Sequence, residues 1–172
     1  MPTCRTVLAA PECIRTRRTG VAIDRLVLHA MDGTLPGTIA WFQRAGREVP
    51  TAAHYLIGRA GDVVQMVPDA NKALHAGSST EPGWNDRSIG IEHEVELTLG
   101  PRAHFPLGEW TDAMLDASAR VAAALCRKFS LAVDRTHIVG HSDVPGHGSH
   151  IDPGPAFPWD RYLTLVRAHL AP

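Results

Sequence analysis

The stretch DRLVLHA, residues 24–30, passes from two charged residues into a short apolar run and ends on a histidine. An apolar run of this length without alternation reads as a strand buried on both faces, as in the sheets of α/β proteins. THIVGHS, residues 136–142, repeats the pattern and again carries a histidine at its end. Between them, AHYLIGRAGDVVQMV (53–67) reads as two strands joined around Ala60, Gly61 and Asp62, with the glycine allowing positive φ in the turn. RSIGIEHEVEL (87–97) alternates, placing Ile89, Ile91, His93 and Val95 on one face and Ser88, Gly90, Glu92 and Glu94 on the other. Trp110, Met114, Ala117, Val121 and Leu125 recur at spacings of three and four, the stripe of a helix packed on a sheet, and shorter helices are expected over 38–44 and 159–170. Strand, helix, hairpin, strand, long helix, strand, loop, helix predicts an α/β fold with a mixed central β-sheet flanked by helices.

The chain has 172 residues, 44% of them hydrophobic and 20% charged, which suits one domain over 1–172, with 1–22 as an N-terminal extension and 23–172 as the core. A formal net charge of -1 gives no footprint for a polyanion, and Arg15, Arg17 and Arg18 are too few to change that, so no nucleic-acid partner is expected. Cys4, Cys13 and Cys126 lack CxxC spacing and suggest neither a disulfide framework nor a thiolate zinc knuckle, with a Cys4–Cys13 bridge left open. The start lacks the charged and apolar segments of a signal peptide, and no run approaches the roughly 20 apolar residues of a membrane span. A soluble monomer without its own export signal, away from membranes, is the expectation.

GHSDVPGHGSHIDPGP, residues 140–155, crowds three histidines and two aspartates into a loop broken by Gly and Pro. His29 and His141 stand at the ends of buried strands, where a rigid sheet delivers side chains into a crevice. Asp152 follows on a loop fixed by Pro145, Pro153 and Pro155, close enough in sequence to fold back beside them. Two histidines and a carboxylate are the ligand count of a catalytic zinc site with its fourth position open, whereas a closed structural site would use cysteines. Bound Zn²⁺ brings the pKa of water from ~15.7 toward ~7 and polarises a neighbouring carbonyl. Such chemistry needs a general base, for which Glu92 is the candidate and Glu94 its rival, and a donor for the developing oxyanion, for which His150 is the candidate.

Other readings compete for these residues. A single histidine at a strand end is more often structural than a ligand, and His93, facing away from Glu92, reads as structural. His54 is left between a buried, backbone-bonded residue and a groove residue; His104, His137 and His169 read as surface, and His147 as an ordinary loop residue. Trp41, Trp110 and Trp159 are expected in the core, and Trp84, beside Pro82 and Gly83, as an exposed contact. GHSDV superficially suggests a serine nucleophile at Ser142, but Val144 stands where that motif needs glycine.

LVLHA, AHYLIGRAGDVVQMV, ALHAGSS, NDRSIGIEHE and GHSDVPGHGSHIDPGPAFPW together resemble, in order and approximate spacing, the type-2 N-acetylmuramoyl-L-alanine amidases, which share their fold with peptidoglycan recognition proteins. The resemblance covers about residues 23–165. It implies a zinc site in a cleft at the strand ends and cleavage of the amide between the lactyl group of N-acetylmuramic acid and L-alanine, in peptidoglycan or muropeptides. Carried over by position, it implies one Zn²⁺ on His29, His141 and Asp152, with Glu92 as catalytic acid/base. The blocks containing His54 and His75, and the loop with Trp84 and Asn85, border the family's substrate groove. This makes His75, Trp84 and Asn85 expected substrate contacts. Many relatives carry Lys in an RKTDPG context where this chain has His150 on a loop one residue longer, while branches with HTDPG look similar, implying that the role is kept. Histidine and lysine hold charge over different pH ranges, so the pH dependence is expected to differ. Ala30 stands where a hydroxyl residue is frequent. A receptor of this fold without catalysis is expected to have lost a ligand, and all three positions are filled here. Cytoplasmic action and release to the wall by a partner system both fit the sequence.

Overall fold

The computed structural model describes residues 4–16, 19–31, 33–77, 82–95, 97–100, 103–106, 109–146 and 148–171, with backbone alone for 97–100 and 103–106. In chain order the elements are β1 (Cys4–Thr6), β2 (Arg15–Thr16), β3 (Arg25–Ala30), α1 (Leu35–Gln43), β4 (Tyr55–Ile57), β5 (Val63–Gln65), β6 (Asn71–Lys72), α2 (Trp84–Arg87), β7 (Ser88–His93), β8 (Leu97–Gly100), β9 (Ala103–Pro106), α3 (Asp112–Phe129), β10 (Ile138–Gly140) and α4 (Trp159–Leu170).

Six strands form one mixed sheet in the order β1-β5-β4-β7-β3-β10, in which every neighbouring pair is parallel except the β4–β5 hairpin. That hairpin turns where the sequence places it, with Gly61 at φ 88°. The central strand β3 shows why its sequence is apolar throughout. Leu26 and Leu28 face one core with Ile89, Ile91, Ile138 and the apolar sides of α3 and α4, and Val27 faces the other side with Ala76, Trp84, Val139 and Val144. Both layers exclude water, so a polar side chain at Leu26, Val27 or Leu28 would be buried among apolar groups, at a cost.

Helix α3 begins where Thr111 accepts from the Met114 N–H and ends on Ser130 in the left-handed region at φ 56°. Thr111 supplies one of the acceptors that a helix start leaves wanting. With α4 it covers the Leu26–Leu28 face. The opposite face is covered at its β4–β5 end by α1, through Leu35 and Phe42, together with Ala9, Ala10 and Cys13 from the first residues of the chain. Thus β1 extends the sheet edge beside β5, and β2 pairs with β6. Among the described residues no helix is long and apolar enough to cross a membrane.

Several expectations need correction. The helix expected over 38–44 starts earlier, because Thr34 caps Gly37 N–H and Pro36 sits in the first turn, where its missing N–H costs nothing. Trp41, expected in the core, is 49% exposed, since α1 turns Leu35 and Phe42 inward and leaves Trp41 beneath the Arg47 guanidinium, 4.9 Å from its ring centre. Trp110 and Trp159 do pack against the main core. Cys4, Cys13 and Cys126 are all free thiols, so the Cys4–Cys13 bridge left open from sequence is absent. The backbone hairpin β8–β9 follows β7, beyond the strand that the alternation marks.

Candidate active site

The C-terminal ends of the parallel strands β3, β7 and β10 meet at one place, where crevices of α/β sheets commonly take ligands. His29 lies near the end of β3 and is the register partner of Glu92 on β7. His141 follows β10 directly and opens a tight turn, closed by Asp143 Oδ2 accepting from Gly140 N–H at 2.8 Å. The loop carrying Asp152 folds back onto that turn, with the Ser142 N–H donating to the Asp152 carbonyl at 3.0 Å. This approach requires Gly140: a Cβ there would stand 2.6 Å from Pro153 Cδ.

The result is a cluster of three buried groups. His29 Nδ1 is 3.0 Å from Asp152 Oδ2 and His141 Nδ1 is 3.3 Å from Oδ1. One donor atom from each of the three lies within 4.8 Å of the others. The third histidine, His150, stacks on His141 with ring centres 4.0 Å apart, and its Nδ1 is 3.5 Å from Asp152 Oδ1. Unlike the other two, its side chain is 60% exposed.

The electrostatics follow from burial against pairing. Burial alone would raise Asp152, but hydrogen bonds from His141, His150 and His29 outweigh it and hold the carboxyl well below its ordinary range. Burial opposes a charge on His29, yet Glu92 and Asp152 outweigh it and the pKa rises. Burial dominates at His141, which is lowered. For Glu92, burial pushes the carboxyl up to about 7, with His29 opposing and Asp152 reinforcing the shift. Its Oε2 is shielded from solvent and has no hydrogen-bond partner among the described residues.

This donor set fits a divalent metal. Two imidazoles and a carboxylate converge with room for a fourth ligand, cysteine is absent from the cluster, and an unpaired carboxylate oxygen stands beside them.

The remaining residues divide clearly. Glu94, the rival base, accepts from the Leu35 N–H through Oε1 at 2.7 Å and from the Arg59 N–H through Oε2 at 2.9 Å, tying α1 to the hairpin turn. His54 is fully buried: its Nδ1 accepts from Gly90 N–H at 3.0 Å and its Nε2–H donates to the Asn71 carbonyl at 3.1 Å. It is a structural histidine. His93 donates from Nδ1 to the His29 carbonyl at 2.7 Å and accepts at Nε2 from Ser118 at 2.7 Å, while burial pushes its pKa down to about 4, so it stays neutral. His137 and His169 pair with Asp134 and Asp116 near the surface. His147 and the side chain of His104 lie outside the described residues. Ser142 is exposed, and His141 faces Asp152 rather than a serine hydroxyl.

A groove of about 800 Å³ opens over the cluster, lined by His29, His75, Asn85, Glu92, His141 and His150 together with Phe42, Val49, Pro50 and Thr51. Sequence reasoning brought His75 and Asn85 here, but the structure adds how they are held. Asn85 Oδ1 accepts from the His75 and Ala76 backbone N–H groups at 2.9 and 2.8 Å, and His75 Nδ1 is 3.0 Å from His29 Nε2. Trp84, expected as an exposed contact, is instead buried against Val27, Ala76, Val139 and Val144, because the short helix α2 turns it into the sheet. It supports the loop and does not line the groove. Missed from sequence was Ser88, whose hydroxyl is 3.3 Å from His75 Nε2; the alternation of β7, which puts Ser88 on the face of Glu92, carried that signal.

Residues 19–155 match the N-acetylmuramoyl-L-alanine amidase family. The chain is 33% identical over 158 residues to N-acetylmuramoyl-L-alanine amidase A of Achromobacter lyticus, covering 82% of this chain and 81% of that one. It is 40% identical over 119 residues to the 1,6-anhydro-N-acetylmuramyl-L-alanine amidase AmpD of Escherichia coli strain K12, covering 67% of this chain but only 58% of that protein. The crystal structure of a selenomethionine AmpD derivative superposes with a TM-score of 0.76 at 30% identity, over 96% of both chains. Fold and sequence agree on the class, an amidase. The chain belongs to the N-acetylmuramoyl-L-alanine amidase family.

Proposed function

We propose that this chain is a zinc-dependent amidase that hydrolyses the bond between the lactyl group of N-acetylmuramic acid and L-alanine of the stem peptide, in peptidoglycan or in muropeptides. The observation that carries the reading is the meeting of His29 Nδ1 and His141 Nδ1 on Asp152, with the shielded Glu92 carboxyl in the same groove wall. His29, His141 and Asp152 would hold one zinc per chain. When bound, zinc would polarise the scissile carbonyl and acidify water.

The chain's own residues supply the rest. In the metal-free protein burial brings Glu92 up to about 7, a carboxyl able both to take up and to give back a proton near neutral pH. As carboxylate it removes a proton from the water whose oxygen adds to the carbonyl carbon. As acid it returns that proton to the amide nitrogen when the C–N bond breaks, leaving the free amine of L-alanine and a lactyl carboxyl group, which then releases the second water proton and ionises. His150, exposed at the groove wall, donates an N–H to the carbonyl oxygen as negative charge gathers there. His75 and Asn85 line the same groove and are proposed to border the bound substrate.

Two of the relatives bear on the choice of substrate: amidase A is named for the muramoyl–alanine bond and AmpD for its 1,6-anhydro form. Digestion of intact sacculi and of purified anhydro-muropeptides, side by side, with product masses and with a chelator control, tests the proposal. Release of free stem peptide from either substrate, lost on chelation and restored by Zn²⁺, supports it; no peptide release from both refutes it.

A further inference from the structure

We infer that His75 is a positioning residue for the metal ligand His29: through a directed chain of hydrogen bonds it holds His29 in the one tautomer that turns a lone pair on Nδ1 toward Asp152. The inference rests on the zinc reading above and adds to it which group outside the ligand set prepares the site.

The direction of the chain is fixed at its far end. The Ser88 hydroxyl lies 2.5 Å from the Trp84 carbonyl oxygen. A carbonyl only accepts, so the single hydroxyl hydrogen points to Trp84. Toward His75 Nε2, 3.3 Å away, Ser88 Oγ can then only accept, and the proton of a neutral His75 resides on Nε2. His75 Nδ1 consequently bears the lone pair. It faces His29 Nε2 at 3.0 Å, so His29 donates from Nε2, and its remaining lone pair, on Nδ1, faces Asp152 Oδ2 at 3.0 Å. A lone pair aimed at a carboxylate oxygen is a repulsive contact unless a cation lies between them: a proton in the metal-free protein, where Asp152 accepts from His29, and a divalent metal in the loaded site. Ligating histidines commonly have their other ring nitrogen held by an outer partner that sets the tautomer.

Three further contacts hold the relay in place. Asn85 Oδ1 binds the backbone N–H of His75 and of Ala76. The His54 ring packs edge-on against His75 with centres 5.6 Å apart. Gly90 leaves the space that the His75 ring fills, since a Cβ there would stand 2.6 Å from both Cγ and Nδ1 of that ring. The glycine is therefore a steric requirement of the relay, at a position inside a strand where glycine otherwise weakens the sheet.

The test compares wild type with His75→Ala, His75→Asn and Gly90→Ala. Zinc affinity is measured by competition with a chromogenic chelator, and the ring nitrogens of His29 are observed by ¹⁵N NMR in metal-free protein at alkaline pH. His75→Ala should lose on the order of 10- to 100-fold in zinc affinity, the range for outer-sphere partners of ligating histidines, and neutral His29 should show mixed tautomers. His75→Asn should restore most of the affinity, because Asn Oδ1 takes the place of Nδ1 as acceptor. Gly90→Ala should resemble His75→Ala. Equal zinc affinity for wild type and His75→Ala, or no recovery in His75→Asn, overturns the relay. A wild type that binds no zinc refutes the metal reading itself, and the ¹⁵N pattern of its His29 then still decides whether the tautomer is fixed.

Discussion

Glu92 is the register partner of His29 across the β3–β7 ladder, so one sheet contact joins the proposed proton carrier to a proposed metal ligand. Both side chains leave the sheet on the same face, and His29 is the largest opposing influence on the upward shift of Glu92. The pair is preorganised by backbone pairing rather than by a loop, the arrangement that holds reacting groups most accurately.

Glu92→Gln should therefore keep the metal and lose turnover by on the order of 10² to 10⁴, the usual cost of removing a general acid/base. Glu94→Ala should behave in the opposite way. It removes the acceptor for two backbone N–H groups and should lower stability by about 1 to 3 kcal/mol with kcat largely intact. Steady-state kinetics and thermal melts of both variants separate the two carboxylates; an inactive, fully stable Glu94→Ala would return the role to Glu94.

The raised pKa of Glu92 has a consequence for stability in the metal-free protein. The folded state holds the proton more tightly than the unfolded state, whose carboxyl titrates near 4.5, while the folded value is about 7. The contribution is fully present below about pH 4.5 and is lost as pH rises through 7. Glu92→Gln resembles the protonated form at every pH, so it should match wild type near pH 4.5 and exceed it at pH 8 by about 3 kcal/mol. Denaturant melts with chelator at the two pH values measure this, and a gap that does not widen with pH contradicts the burial argument.

How much of this was readable beforehand varies with the physics involved. The strands ending in His29 and His141 were legible because burial on both faces demands an uninterrupted apolar run, and Asp152 because Gly and Pro announce a rigid loop. Alternation put Glu92 and Glu94 on one face, and it is the backbone N–H groups held by Glu94 that separate the two. The sidedness of Trp41 and Trp84 was not legible, since each sits on a short helix whose rotation is set by what it packs against. The relay from His29 to His75 spans 46 residues and depends on the space left by Gly90, a relation between elements that no local pattern records.

Gly140→Ala should weaken metal binding without touching a ligand. The added Cβ would meet Pro153 Cδ at 2.6 Å and the Asp152 carbonyl at 3.3 Å, pushing away the loop that delivers Asp152. Zinc affinity should fall while the overall fold, read by circular dichroism, is retained; unchanged affinity would show that the loop gives way elsewhere.

His150→Ala should raise the barrier by roughly 2 to 4 kcal/mol, the scale for loss of one oxyanion donor, with zinc content preserved. His150→Lys should retain a donor at the groove wall and recover part of the activity if the ammonium reaches the carbonyl. Turnover on a muramoyl-peptide substrate, with zinc assayed in each sample, decides between this role and a bystander whose removal changes nothing.

The most direct measurement is elemental analysis of the protein purified without added metal, beside His29→Ala, His141→Ala and Asp152→Ala. The account predicts about one zinc per wild-type chain and sharply reduced zinc in all three variants, because each contributes one of the three converging ligand atoms. Full zinc occupancy in the variants, or a wild type that hydrolyses its substrate unchanged after exhaustive chelation, would contradict it.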